Sequence, residues 1–182
     1  GFVFGGEDEQ GQAHVFKFSR INLPLHVQDR LAEEADLQKK LTHSRIPKVF
    51  EYYKVKRQSI VHMQRAPGID LEKLSFQRGP LPSELVVKIA IQLAEILLYL
   101  RDSKQHYKGK PYVHGDIKPS NVVFDSETEK VYLVDWGSAV PAQLDVRGQT
   151  TANNIMDLMS SDLQNSNARL GDVYFIGHEQ IS

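Results

Sequence analysis

The stretch HGDIKPSN, His114 to Asn121, is followed fourteen residues after its end by DWG, Asp135 to Gly137. Both motifs lie among short apolar runs, Tyr112–Val113, Asn121–Phe124 and Val131–Val134, that read as strands. An aspartate, a lysine, an asparagine and a second aspartate are thereby set on two neighbouring loops. Phosphoryl transfer needs that inventory: a carboxylate to orient an attacking hydroxyl, a cation against the transferring phosphate, and two oxygen ligands for magnesium. A lone HxD recurs by chance, whereas the pair, in this order and between strand-like runs, is a strong signal.

The 182 residues suffice for one large domain or two small lobes. A net charge of -1 offers neither a nucleic-acid stripe nor a polybasic membrane patch, so no nucleic-acid partner and no membrane insertion are expected. Cysteine is absent, which excludes disulfides and thiolate metal sites and points to a cytoplasmic protein. The longest apolar stretch, Leu85 to Leu100, carries Lys88, Gln92 and Glu95 and is too short and too charged to cross a bilayer. His43, His62 and His178 are scattered, so no histidine metal cluster is expected.

Along the chain, Phe2–Phe4, the turn-like GGEDEQGQ and Ala13–Phe18 predict a β-hairpin with Lys17 near its end. Apolar residues at roughly helical spacing predict a helix from about Val27 to Leu41, ending near Thr42 and His43 before Ile46–Pro47. Val49–Tyr53 and Ser59–Met63 are the next strands. APGID, residues 66–70, breaks the pattern, and Asp70 is placed to cap a short helix. SELVVKIAIQLAEILLYL reads as a long, mostly buried helix with Ser83 as its cap and Glu84 in its first turn. Beyond Val140 a polar, irregular stretch precedes GDVYFIGHEQ. The fold class expected is α+β in two lobes: a small antiparallel β lobe with one helix over residues 1–65, a hinge at 66–70, and a mainly helical lobe over 71–182. A cleft between the lobes would hold the ligand.

On these motifs the chain resembles the eukaryotic-type protein kinases, serine/threonine-like, across nearly its whole length. The resemblance implies that Asp116 is the catalytic-loop aspartate, that Lys118 faces the γ-phosphate, and that Asn121 and Asp135 hold magnesium. His114 and Trp136 would be structural. VFK, Val15 to Lys17, is similar to the family's VAIK strand, so Lys17 would hold the α- and β-phosphates of ATP. Its partner, counted back from His43 in HSRIPKVF, is Glu34. Glu33 competes, because it would put Leu37 rather than Gln38 one turn on, where kinases pack an apolar residue. GFV resembles the end of the glycine-rich loop, with Gly1 as its third glycine; Val3 and Val15 would cover one face of adenine and Val123 the other. GDVYFIGHEQ is similar to GTxxYxAPE, with Glu179 as its final glutamate, and the sequence is read as a segment of a longer kinase domain, cut at both ends.

Departures from the family pattern qualify this. Gly115 stands where many kinases have an arginine that docks a phosphorylated loop, which argues against regulation by loop phosphorylation. Trp136 replaces the usual phenylalanine. Asp172 stands where a threonine contacts the catalytic aspartate, and 135–179 is long for an activation segment. Taken singly, Lys17 and Glu34 read as solvated charges and His114 as a packed core histidine. The expected activity is ATP- and Mg2+-dependent phosphorylation of serine or threonine hydroxyls on a protein substrate, with oligomeric state left open. A small-molecule kinase of the aminoglycoside or choline type, which shares HGD, and a pseudokinase scaffold are the alternatives.

Overall fold

The computed structural model describes residues 1–22, 25–102 and 111–142. The expectations placed on Asp172, Glu179 and GDVYFIGHEQ lie outside these residues. Strands β1 (Phe2–Glu7), β2 (Ala13–Phe18), β3 (Val49–Val55) and β4 (Gln58–Gln64) form an antiparallel sheet in the order β1–β2–β4–β3. Gly5 and Gly6, expected in the hairpin turn, instead pair with Val15 and His14. The turn starts at Asp8, whose Oδ1 accepts the N–H groups of Gln10 and Gln12 at 2.9 and 2.8 Å and so fixes the chain reversal there.

Strand alternation divides β2 between two faces, with Val15 and Lys17 on one and His14, Phe16 and Phe18 on the other. Helix α1 (Leu25–Lys39) covers the sheet, burying Leu31 and Ala35 against Val61, with Val49, Tyr52 and Met63 packed around them. It stops earlier than the apolar spacing predicts. Its last turn tightens, Lys40 N–H bonding Leu37 O and Leu41 N–H bonding Gln38 O at 3.0 and 3.1 Å, which keeps Leu41 in the core without further helix.

The second lobe holds β5 (Ile69–Asp70), α2 (Leu71–Arg78), α3 (Ser83–Arg101), β6 (Tyr112–Val113), β7 (Val122–Asp125), β8 (Lys130–Leu133) and β9 (Val140–Pro141). β5, β7 and β8 form one antiparallel sheet and β6 pairs with β9. Asp70 caps α2, its Oδ1 accepting Lys73 N–H at 2.9 Å. Ser83 does not cap α3. Pro82 occupies that position and its carbonyl accepts Val86 N–H at 3.0 Å, with no side-chain cap. Nor is α3 mostly buried: Ile89, Ile96, Tyr99 and Leu100 enter the core, while Val87, Ile91 and Leu98 are exposed. Burying each of the large apolar side chains contributes about 1.5–3 kcal/mol.

Beneath the two motif loops lie His114 and Trp136, each 1% exposed. Trp136 meets the imidazole edge-on at 4.7 Å and its Nε1–H donates to Leu133 O at 3.3 Å, a bond phenylalanine cannot make. His114 Nε2 donates to Val134 O at 3.1 Å, and Nδ1 accepts the Asp116 N–H at 3.3 Å. Both ring nitrogens are thus used by a neutral imidazole. Burial pushes its pKa below the ordinary histidine value, outweighing the Val134 carbonyl and the Asp135 and Asp116 carboxylates.

Where the chain passes between lobes, Gly68 has φ +99 and a Cβ there would lie 2.1 Å from Phe124 O. Gly68→Ala is expected to destabilise the protein by about 2–4 kcal/mol in denaturant titration, through both strain and the clash; a change below about 0.5 kcal/mol would contradict the close approach. His114 yields a pH prediction. Its folded pKa is depressed, so the unfolded chain takes up protons first as pH falls. Its contribution is fully present above the unfolded value of about 6.5 and declines below it, by up to about 1.4 kcal/mol per pH unit. Stability measured from pH 7.5 downward should fall less steeply in His114→Phe than in the unsubstituted protein; equal slopes would exclude a neutral buried imidazole.

Candidate active site

Lys17 reaches the site from the inner face of β2. Its Nζ donates to Glu34 Oε1 of α1 and to Asp135 Oδ1 of the DWG loop, each at 2.7 Å. The choice between the neighbouring glutamates follows from helix phase: Glu34 shares the buried face of Leu31, Ala35 and Gln38, and Glu33 is exposed. Burial alone would lower the Lys17 pKa, but the two carboxylates raise it above the ordinary lysine value, so the side chain is an ammonium. Glu34 also accepts the Trp136 backbone N–H. For Glu34 burial prevails over Lys17 and this N–H, holding its pKa above the usual carboxylate range. For Asp135 the balance reverses: Lys17 and the Gly137 N–H overcome burial and keep it below that range.

Asp135 adopts φ 61, a left-handed conformation rare outside glycine, which turns its half-exposed carboxylate back toward Lys17. Two residues on, a Cβ at Gly137 would meet Glu34 Oε2 at 3.4 Å and Asp135 Oδ1 at 3.5 Å, ordinary contact distances that place the backbone directly against both carboxylates.

The other motif folds around Asn121, which sits in a 3-10 turn, Pro119–Asn121, rather than in the strand expected from it. Pro119 supplies a preset φ at the start of that turn. Asn121 Nδ2 donates to Asp116 O at 2.8 Å and to Asp116 Oδ2 at 3.0 Å, and Lys118 Nζ lies 3.2 Å from the same Oδ2. Both amide protons of Asn121 are thereby committed, which leaves Oδ1 as the atom that could ligate a cation. Asp116 is in turn held by the two groups that share its loop.

A cavity of about 600 Å³ runs between the lobes. Val3, Val15 and Lys17 line it from the upper sheet, Glu34 from α1, and Asn121, Val123 and Asp135 from below. Asp116 and Lys118 stand beside it through their bonds to Asn121 and to each other. Sequence reading did not include Met63, Gln64, Ala66, Lys73 and Ser120 among the lining residues, and assigned Asp70 a cap alone. Asp70 also bonds Lys73 Nζ at 2.8 Å; burial would raise its pKa, but the Lys73 side chain and backbone bonds lower it. Met63 and Gln64 end β4, Ala66, Asp70 and Lys73 follow it in the link and the first turn of α2, and Ser120 sits in the 3-10 turn beside Asn121, so position in the chain was the available signal.

Among the described residues no group of three histidine or acidic side chains converges to hold a metal. Magnesium does not ask for one, since it takes one or two protein oxygens and completes its shell with phosphate and water. Asn121 and Asp135, both on the cavity wall, are such a pair. Around the cavity the cations Lys17, Arg65, Lys73 and Lys118 stand against the carboxylates of Glu34, Asp70, Asp116 and Asp135. Among the described residues no helix is long and apolar enough to cross a membrane.

The protein kinase domain family matches residues 1–158. Human serine/threonine-protein kinase VRK2 is 35% identical over 71 residues, covering 38% of this chain and 13% of that protein. The human lymphokine-activated killer T-cell-originated protein kinase is 30% identical over 120 residues, covering 63% and 35% respectively. A probable casein kinase I homolog of Encephalitozoon cuniculi is 29% identical over 113 residues, covering 60% and 35%. The chain thus spans about a third or less of the relatives it matches. With its two-lobed fold and a match over residues 1–158, the chain belongs to the protein kinase domain family.

Proposed function

We propose that the protein transfers the γ-phosphoryl group of ATP to serine or threonine hydroxyls of a protein substrate. The observation that carries this is the junction at Lys17: a cation from the upper sheet bonded at 2.7 Å to a carboxylate from α1 and to one from the lower loop. Few purposes are served by holding two carboxylates around one ammonium at the wall of a half-open cavity, and positioning a metal polyphosphate is one. Adenine would lie between Val3 and Val15 above and Val123 below. Lys17, oriented by Glu34, would hold the α- and β-phosphates. Magnesium, held by Asn121 and Asp135, would neutralise the charge that builds on the phosphate oxygens. Asp116 would orient the acceptor hydroxyl and take its proton, and Lys118 would face the transferred group. The three relatives are named as protein kinases, which supports a protein acceptor. We place this activity in the cytoplasm, in keeping with a sequence free of cysteine.

Two measurements on the full-length protein test this. Asp135→Asn preserves shape but removes a metal-binding charge, and radiolabel transfer from ATP to protein should fall by at least about a hundredfold. Undiminished transfer would refute the assignment, and transfer to small alcohols but to no protein would move it to small-molecule kinases. Lys17→Met should raise the KM for ATP and lower kcat, while a thermal shift with ATP and Mg2+ present in the unsubstituted protein should shrink. An unchanged KM would remove Lys17 from the nucleotide site.

A further inference from the structure

Gln38 is a polar side chain in an apolar place. It lies one turn beyond Glu34 on the face of α1 that carries Leu31 and Ala35, and only 3% of it is exposed. A buried amide has to be bonded, and Gln38 Nε2 donates to the carbonyl of Pro47 at 2.7 Å. Pro47 belongs to the segment joining α1 to β3, and that segment is fastened to the lower lobe. Leu133 N–H of β8 bonds Arg45 O at 3.1 Å, and Thr42 N–H bonds the Tyr99 hydroxyl of α3 at 2.6 Å. The Arg45 guanidinium binds Glu95 and, at 3.2 Å, Gln92, both on α3. Through Gln38 the orientation of α1 is therefore referred to the lower lobe, where Asp135 sits. An outward swing of α1, which would part Glu34 from Lys17, has to break this bond.

Gly115 adds an independent observation. Its φ is +78, and a Cβ there would stand 2.6 Å from Ser138 O, so the position that could offer a docking cation offers only backbone. Whatever keeps α1 inward has to come from elsewhere. We propose that Gln38 is a positioning residue, a latch that keeps the Lys17–Glu34 pair assembled without an added phosphate or a partner protein pressing on α1. This rests on the reading of the site as a phosphotransferase site. Gln38 and Pro47 both line the cavity, but the Gln38 Nε2 is spent on the Pro47 carbonyl, and Gln38 acts through Glu34.

The test uses the full-length protein. Gln38→Leu removes the amide and keeps similar bulk, and it should raise the KM for ATP about tenfold while the KM for the protein acceptor stays unchanged. Amide hydrogen exchange across α1 should accelerate by a comparable factor, with exchange in α3 unaltered. Equal acceleration in both helices would mean a general loss of stability and would overturn the latch, as would an unchanged KM. Should Gln38→Leu fail to fold, Gln38→Met is a less branched replacement for the same comparison. The unsubstituted protein carries its own readout: a Gln38 side-chain amide proton should exchange as slowly as the α1 backbone, and rapid exchange would overturn the proposal. If the unsubstituted protein neither binds nor uses ATP, the functional reading fails, and the exchange measurements still decide the latch.

Discussion

One ammonium group between two carboxylates joins three parts of this chain that are distant in sequence. Lys17, Glu34 and Asp135 come from a strand, a helix and a loop, and each is placed by a separate local cause. Strand alternation turns Lys17 inward, helix phase turns Glu34 toward it, and a left-handed backbone turns Asp135 back. Glu34 is buried, so without Lys17 its charge would be stranded, at a cost of about 3–5 kcal/mol for a pair broken on one side. The two carboxylates in turn make Lys17 hard to deprotonate against the opposing effect of its own burial, which fixes a positive charge on the cavity wall at any physiological pH. Fold and site are coupled here, because what holds the lobes in register is also what a polyphosphate would meet.

The loops that carry Asp116 and Asp135 contain backbone that most residues avoid, Gly115 at φ +78 and Asp135 at φ 61. Such conformations persist only where their surroundings overdetermine them. Here His114 and Trp136 do so from below. The imidazole bonds Val134 O with one nitrogen and the Asp116 N–H with the other, so a single buried ring holds both loops. Tryptophan extends this, since its N–H returns to Leu133 O and ties the aromatic of the DWG loop to the strand before it.

Much of the site was legible because its chemistry is carried by residue identity at fixed spacing in two short motifs. Lys17 and Glu34 were harder, and became readable only when the helix was counted from His43. What the sequence left hidden was context. Asp8 was one of several polar residues in a turn-like run, and nothing in composition says that its carboxylate collects two N–H groups and moves the turn past both glycines. The α3 helix is rich in apolar residues all round, so its periodicity could not reveal that Val87, Ile91 and Leu98 face outward. Gln38 counted against Glu34 in the sequence, because a polar residue was unexpected one turn on. The structure resolves that conflict with a bond to a carbonyl nine residues away.

The link between lobes follows the same logic of local restraint. The upper sheet's last backbone bond is Arg65 N–H to Ala13 O at 3.2 Å, and the lower sheet begins at Ile69, opposite Phe124. Only Ala66, Pro67 and Gly68 lie between. Proline there has a fixed φ and no N–H to exchange, and Gly68 is pressed against the Phe124 carbonyl. A connection this short and this stiff permits rotation of one lobe on the other but little translation. Lys17 is four strand residues from the start of β2, close to the far end from Ala13 and Arg65. The cross-lobe bonds at Arg45 and Thr42 tie the upper lobe to β8 and α3 a second time. The Lys17–Glu34–Asp135 junction closes the lobes at that far end, so the two are tied both beside the linker and away from it.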